Sequence, residues 1–371
     1  MIYLDYAANT PADPAVLDAF CQTERRFIGN PNAAHPAGQA ARAEMARVTD
    51  SIASLLNVSP REIIYTSGAS ESNNLAIKGM VQPGRHIITT PLEHASVAGA
   101  LSALGRHGCA VDVVDVRRDG TVDIEHLHTL LRQDTALVCV CAVDSELGAV
   151  QPIAEIAELL QSYPHCRLHV DATQAVGRTA PIWRGADTVS LAPHKFYGLN
   201  GCGLLLKKKN LALEPLIHGG GSTTPYRSGT PALGLAVSAE TALRLALENQ
   251  PQRTARVKAL NQQLRAGLSG YPAVCFNSPD DAVPNILNLS VRGVKGTVFQ
   301  RALASYGVCV SVKSACSTDG APSQAVYAVS RDRRNALSSW RISLSHLTTE
   351  AEIAAFLEIF RRCYQELVPQ G

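Results

Sequence analysis

From about residue 15 to 250 this chain alternates short apolar runs with stretches of helical periodicity, and that alternation restricts the folds open to it. The apolar runs are Ile63–Thr66, His86–Thr89, Val111–Val116, Leu137–Val143, Leu168–Val170, Thr188–Leu191 and Gly203–Leu206. Between them, Ala40–Leu56, Ser72–Lys78, Ser96–Gly105, Ile124–Gln133 and Ile153–Gln161 have helical character. The pattern predicts an α/β layer around a mostly parallel seven-stranded sheet, because parallel neighbours need a long crossover that a helix supplies. Ligands of such sheets bind beyond the carboxyl ends of the strands.

A second, smaller α+β unit is expected after it. Leu233 to about Leu268 carries one or two amphipathic helices, and Gly270-Tyr271-Pro272 then forms a turn. Ile286–Ser290 and Val308–Val312 read as strands, and Val298–Ser305 and Glu350–Leu367 as helices. The expected division is a large domain over 15–255, with 1–14 and 256–371 forming the small one; 371 residues are too many for one ordinary core.

Composition removes several function classes. A net charge of +2 gives no pull toward nucleic-acid or lipid phosphates, and 5% aromatic residues are too few for base-stacking platforms. The longest apolar run, Ala136 to Val143, is too short to span a bilayer. Neither a membrane nor a direct nucleic-acid partner is expected. Asp5 and the lack of an early basic-then-apolar segment speak against a signal peptide, so a cytoplasmic protein with reduced thiols is expected. None of the ten cysteines shows paired CxxC spacing, and no metal site is expected. Cys139 and Cys141 read as small buried hydrophobes.

The residues that carry chemistry sit near the strand ends. Lys195 follows His194 in an apolar, glycine-bearing loop, and Asp171 ends the run Leu168–Val170. A lysine amine that binds an aldehyde and a carboxylate that pairs with a pyridinium nitrogen are what pyridoxal 5'-phosphate (PLP) requires. Gly68-Ala69-Ser70 stands between a strand and a helix, where free amides hold an anion such as the cofactor phosphate; an N-capped helix is the plain alternative. No Gly-Lys-Ser/Thr follows, so this is not a nucleotide P-loop. His94 can stack on a ring and shuttle protons, or merely neighbour a helix cap. Gln174 could donate to a phenolic oxygen, and Asp171 could instead cap a helix. Cys316 lies in Lys313-Ser314-Ala315-Cys316-Ser317-Thr318-Asp319-Gly320, a polar loop in which Lys313 would favour a thiolate nucleophile; an incidental loop cysteine is the plain alternative. Arg341, in a strand-like run, suits either a substrate carboxylate or a structural ion pair.

Together these segments resemble the cysteine desulfurase family, within the class V aminotransferase group of fold type I PLP enzymes. The resemblance runs from Tyr3-Leu4-Asp5-Tyr6-Ala7-Ala8 and Gly29-Asn30-Pro31 through Thr66-Ser67-Gly68-Ala69-Ser70-Glu71-Ser72-Asn73-Asn74, Glu93-His94, His169-Val170-Asp171-Ala172-Thr173-Gln174 and His194-Lys195. It continues to Arg227-Ser228-Gly229-Thr230, Pro284-Asn285-Ile286-Leu287-Asn288, Ser314-Ala315-Cys316 and Arg341-Ile342-Ser343-Leu344.

The resemblance implies a homodimer that converts L-cysteine to L-alanine and holds the sulfur as a persulfide on Cys316 for an acceptor protein. Its Ser-Ala-Cys motif resembles that of the subgroup with a long mobile cysteine loop. It implies catalytic roles for Lys195, Cys316 and His94. Gly68, Ala69, Ser70, His94, Asp171, Gln174, His194, Lys195 and Ser145 take the cofactor, with Thr230 reaching the partner subunit's phosphate. Arg341, Asn30 and Ser145 take the substrate. Three positions depart from the family pattern: Asp144-Ser145-Glu146 replaces Asn-Asn-Glu, Ala192 replaces a phosphate-binding serine, and Lys313 replaces a glycine. The acceptor stays open among an iron–sulfur scaffold, a tRNA-thiolation relay and a DNA-modification system. A selenocysteine lyase, another β-lyase or transaminase of this fold, and a non-catalytic partner-binding scaffold are the competing readings.

Overall fold

The computed structural model describes residues 1–313 and 321–368. The chain begins with a short strand, β1 (Ile2–Tyr3), and two helices, α1 (Pro14–Arg26) and α2 (Pro36–Leu56). Seven strands then build one sheet: β2 (Ile63–Thr66), β3 (His86–Thr89), β4 (Ala110–Val113), β5 (Thr135–Cys141), β6 (Arg167–Asp171), β7 (Thr188–Leu191) and β8 (Gly203–Lys207). Helices α3 (Ala69–Met80), α4 (Ala95–Arg106), α5 (Ile124–Leu130) and α6 (Ile153–Leu159) lie between them. The sheet order is β2-β8-β7-β6-β5-β3-β4.

The sheet is parallel except for β8, which runs antiparallel to both β2 and β7. The reason is the β7–β8 connection, which contains a single 3-10 turn at Pro193–Lys195 and no crossover helix. β5 and β6 are buried almost throughout because helices cover both faces of the sheet. In α2 the buried positions Ala41, Met45, Val48, Ile52 and Leu56 recur at helical spacing, and the helix stops at Asn57, whose φ of 54° is left-handed. α1 went unread from periodicity, although Asp13 caps it and Pro14 opens it, a start signal that the sequence displays.

The amphipathic stretch after residue 233 is two helices, α7 (Leu233–Glu248) and α8 (Gln250–Leu268), the second opened by Pro251 in its first turn. The remaining strands are β9 (Val274–Phe276), β10 (Ile286–Val291), β11 (Val308–Cys309) and β12 (Ser339–Ser343). Helices α9 (Gly296–Ser305), α10 (Gln324–Ser330), α11 (Arg333–Ser338) and α12 (Glu350–Leu367) accompany them. β12, β10 and β9 form an antiparallel sheet, and β1 pairs in parallel with β11.

Two large apolar clusters result. One joins the seven-stranded sheet to α1, α2 and α7 through Val16, Ile52, Val140 and Leu243. The other packs Leu264, Leu289, Phe299, Trp340 and Phe360 between the small sheet and its helices, with the rings of Phe299 and Trp340 stacked 5.4 Å apart. Among the described residues no helix is long and apolar enough to cross a membrane.

Candidate active site

The carboxyl ends of β2, β3, β5, β6 and β7 open onto one cavity of about 380 Å³, a volume within the range of small-molecule sites. Each strand delivers a residue as it leaves the sheet: Ser67 and Gly68 from β2, His94 from β3, Ser145 from β5, Asp171 from β6 and Lys195 from β7. The 3-10 turn at Pro193–Lys195 aims the lysine back over the sheet edge. β8 starts its antiparallel run there too. At Gly203 an added Cβ would lie 2.5 Å from the Gly68 carbonyl carbon, so only glycine lets β8 pass the loop that starts α3. No side chain caps α3, and Gly68, Ala69 and Ser70 all line the cavity. Uncapped amides with the positive end of the helix dipole suit a phosphate.

Lys195 donates from Nζ to the carbonyls of Ala7 at 3.0 Å and Ala8 at 2.5 Å, both on the segment after β1. Burial, together with the Arg341 and Arg178 cations, lowers its amine to about 8. Asp171 accepts the Thr173 amide on Oδ1 at 3.0 Å and the Asn73 amide nitrogen on Oδ2 at 2.8 Å. It braces a turn with one oxygen and caps no helix. His94 lines the cavity, and its Nδ1 accepts the Ser96 amide at the start of α4. Burial holds its imidazole below the ordinary histidine value. Burial and the adjacent Lys195 ammonium lower His194 to about 4, so it is neutral at pH 7.

Arg341 makes the structural ion pair that its sequence setting allows. It lines the cavity and pairs with Asp5 at 2.9 Å, while Nη1 donates to the Ser145 carbonyl at 2.7 Å and the buried Nε has no protein partner. Ser145 thus meets Arg341 through its backbone, which any residue there could supply. Asp144 beside it accepts the amides of Glu146 and Leu147 on Oδ2, and its buried Oδ1 has no partner. Burial, and then Glu146, push the Asp144 carboxyl up to about 7. Gln174 turns its Nε2 to the Ala7 carbonyl at 3.0 Å, and its Oε1 accepts from Arg178. Cys141 lies on the cavity wall with its thiol raised well above the ordinary value by burial, which makes it an inert surface.

Two expected residues stand apart from this constellation. Asn30 does not line the cavity, and its side chain accepts the Asn32 amide at 2.9 Å. Thr230 lines a neighbouring hollow with Thr66, Ser67 and Arg227. That segment is tied to α3 by the Arg227–Glu71 ion pair at 3.0 Å. Cys316 lies outside the described residues. The chain before it is anchored by Ser311, which donates to Asp5 at 2.8 Å, and the chain after it by Ser323, which donates to Glu146 at 2.6 Å.

Sequence reasoning assigned no role to Asn73, Ser96, Glu93, His169 or Arg178, all of which brace the site. His169 carried a signal, a histidine inside the apolar run Leu168–Val170. Arg178 carried none, since what matters is that its guanidinium is buried against Gln174.

A half-buried lysine and a carboxylate facing one cavity, at the carboxyl edge of such a sheet, are the working parts of a PLP-dependent transferase. The chain belongs to the family described as aminotransferase class-V, whose model matches residues 2–356. Within that family it falls among the cysteine desulfurases. It is 38% identical to the cysteine desulfurase IscS of Vibrio cholerae over 99% of this chain and 93% of that protein. It is 35% identical to a NifS/IcsS protein homolog of Lactobacillus delbrueckii subsp. bulgaricus over 98% and 97% of the two chains. A solved NifS-like protein superposes with a TM-score of 0.91 at 32% identity, covering 99% of this chain and all of the other.

Proposed function

We propose that the chain is a PLP-dependent L-cysteine desulfurase that stores the released sulfur as a persulfide on Cys316. The observation that carries this is the shared cavity of Lys195, Asp171 and Arg341. The residues fit the cofactor: α3 offers uncapped amides for its phosphate, Asp171 a carboxylate for its ring nitrogen, His94 a flat face, and Lys195 an amine for its aldehyde. Bound there, PLP supplies an electron sink for the bond changes at the substrate α-carbon.

The chain's own groups do the rest. With its amine lowered to about 8, a useful share of Lys195 is unprotonated near neutral pH and can take the α-proton. The unpartnered Nε of Arg341 and its Nη groups offer a fork for the cysteine carboxylate, in exchange with Asp5. His94 gives or takes a proton beside the ring. The Cys316 thiolate attacks the substrate sulfur; the carbon–sulfur bond breaks, a sulfur–sulfur bond forms, and the substrate β-carbon gains a proton, yielding alanine. Anchorage of Ser311 to Asp5 and of Ser323 to Glu146 supports this role, because both flanks of the Cys316 segment are tied to residues around the cavity.

The large unit, 15–255, holds the cofactor, while 1–14 and 256–371 contribute Asp5, Arg341 and the cysteine segment. The protein works in the cytoplasm as a homodimer, in which Thr230 serves the partner's phosphate, and passes sulfur to an acceptor protein. The test is to incubate PLP-loaded protein with cysteine and measure alanine and protein-bound sulfur. Wild type should form both in equal amounts at first turnover, and Cys316→Ala should form no protein persulfide. Full persulfide formation by Cys316→Ala would reject the assigned nucleophile, and absence of alanine from wild type would reject the activity.

A further inference from the structure

We propose that Asn73 is a positioning residue whose single amide orients the Asp171 carboxylate and leaves His94 with its proton on Nε2. Asn73 is fully buried at the centre of a branched hydrogen-bond chain. Its Nδ2 lies 2.8 Å from Asp171 Oδ2 and 2.9 Å from Ser96 Oγ, and its Oδ1 lies 3.0 Å from His169 Nε2. An amide has two hydrogens to give on nitrogen and only lone pairs on oxygen. A carboxylate accepts only, so the nitrogen must face Asp171, and this decides every other bond in the chain.

On one branch, Asn73 Oδ1 requires a donor, so His169 carries its proton on Nε2. Its Nδ1 then accepts from Thr188 Oγ1 at 2.8 Å. Burial, which lowers His169 to about 4, keeps the ring neutral at pH 7. On the other branch, Ser96 Oγ accepts from Asn73, and its own hydrogen is directed to His94 Nδ1 at 2.9 Å. The Ser96 amide donates to the same nitrogen at 3.1 Å. With two donors aimed at it, Nδ1 of His94 is an acceptor, and the ring proton resides on Nε2, across the ring from α4. His94 therefore begins a turnover as a neutral ring that offers a hydrogen bond from Nε2. Asp171, held by Asn73 on one oxygen and by the Thr173 amide on the other, cannot rotate away from a ring nitrogen.

The benefit to catalysis rests on the desulfurase reading, but the hydrogen-bond assignment does not. Full-length protein labelled with 15N-histidine, with and without PLP, reports both tautomers by long-range nitrogen–proton NMR, the signals being assigned with His94→Gln and His169→Gln. At pH 7 both rings should be neutral and protonated on Nε2. Asn73→Leu should scramble the His169 tautomer and weaken PLP binding by about tenfold or more, the loss expected for a bond to a charged group. Should that variant fail to fold, Ser96→Ala serves: the His94 signals should move and those of His169 stay. Protonation of His94 on Nδ1, or a wild-type His169 tautomer in Asn73→Leu, overturns the proposal. The same holds if Ser96→Ala leaves the His94 signals in place. Correct tautomers in a protein that makes no alanine would sink the desulfurase reading and leave this one standing.

Discussion

Glu93 precedes His94 and lies against the end of β5, and its carboxyl group is an unusual tenant. Oε1 accepts from Thr90 at 2.8 Å and from the Cys141 amide at 2.8 Å, whereas Oε2 is closed off from solvent with no partner. Burial pushes the group up to about 8, helped by the Asp171 and Asp144 carboxylates. The folded protein therefore holds a proton that the unfolded chain releases above about pH 4.5. Its stabilising effect is complete below that pH and is lost as pH rises through about 8. At about 1.4 kcal/mol per pH unit the full span comes to about 5 kcal/mol, of which about 2 kcal/mol falls between pH 6 and pH 8. Glu93→Gln keeps an acceptor for the Thr90 and Cys141 donors and cannot ionise. Urea unfolding of PLP-free protein, at one protein concentration, should show the stability of wild type falling by about 2 kcal/mol more than that of the variant from pH 6 to pH 8. Asp144, raised to about 7, has the same sign, so the difference between the two proteins is the quantity to read. Equal slopes for wild type and Glu93→Gln would refute the claim that this carboxyl is buried and protonated.

Lys195 should capture PLP covalently at a rate that climbs with pH through a midpoint near 8, measured by borohydride trapping and mass spectrometry; a midpoint near 10.5 would mean that burial and the Arg341 and Arg178 cations leave the amine untouched. Gly203→Ala should cost about 1–3 kcal/mol of stability by urea unfolding, because the new methyl has no room beside Gly68. The displaced start of α3 should also weaken PLP binding in that variant, and unchanged affinity would show that the phosphate loop does not depend on this contact.

Most of the frame was legible because it rests on local chemistry. Buried strands read as largely apolar runs, and β2, β3 and β7 have the bounds expected from sequence. β11 was overestimated: Val308–Val312 is apolar enough for a longer strand, but pairing stops at Cys309, where β1 ends. Lys195, Asp171 and Gly68 were found because chains of this architecture place chemistry just past strand ends, a position that is itself readable. His94 and Arg341 show where that reading stops. Each drew a functional and a structural interpretation, and the two do not exclude one another, since a side chain can line a cavity and still bond a neighbour.

The amino-acid order by itself determined the α/β layering, the strand edge that carries the site, and which residue types meet there, because periodicity and turn chemistry act over a few neighbours. Tertiary structure alone decided that β8 runs against the rest, that Asp5 engages Arg341 from the far end of the chain, and that Asn73 on α3 bonds groups brought from β6 and α4. Those outcomes depend on burial and on contacts between residues remote in sequence, and neither the dryness that protonates Glu93 nor the geometry that orients an amide is encoded in any short stretch of residues.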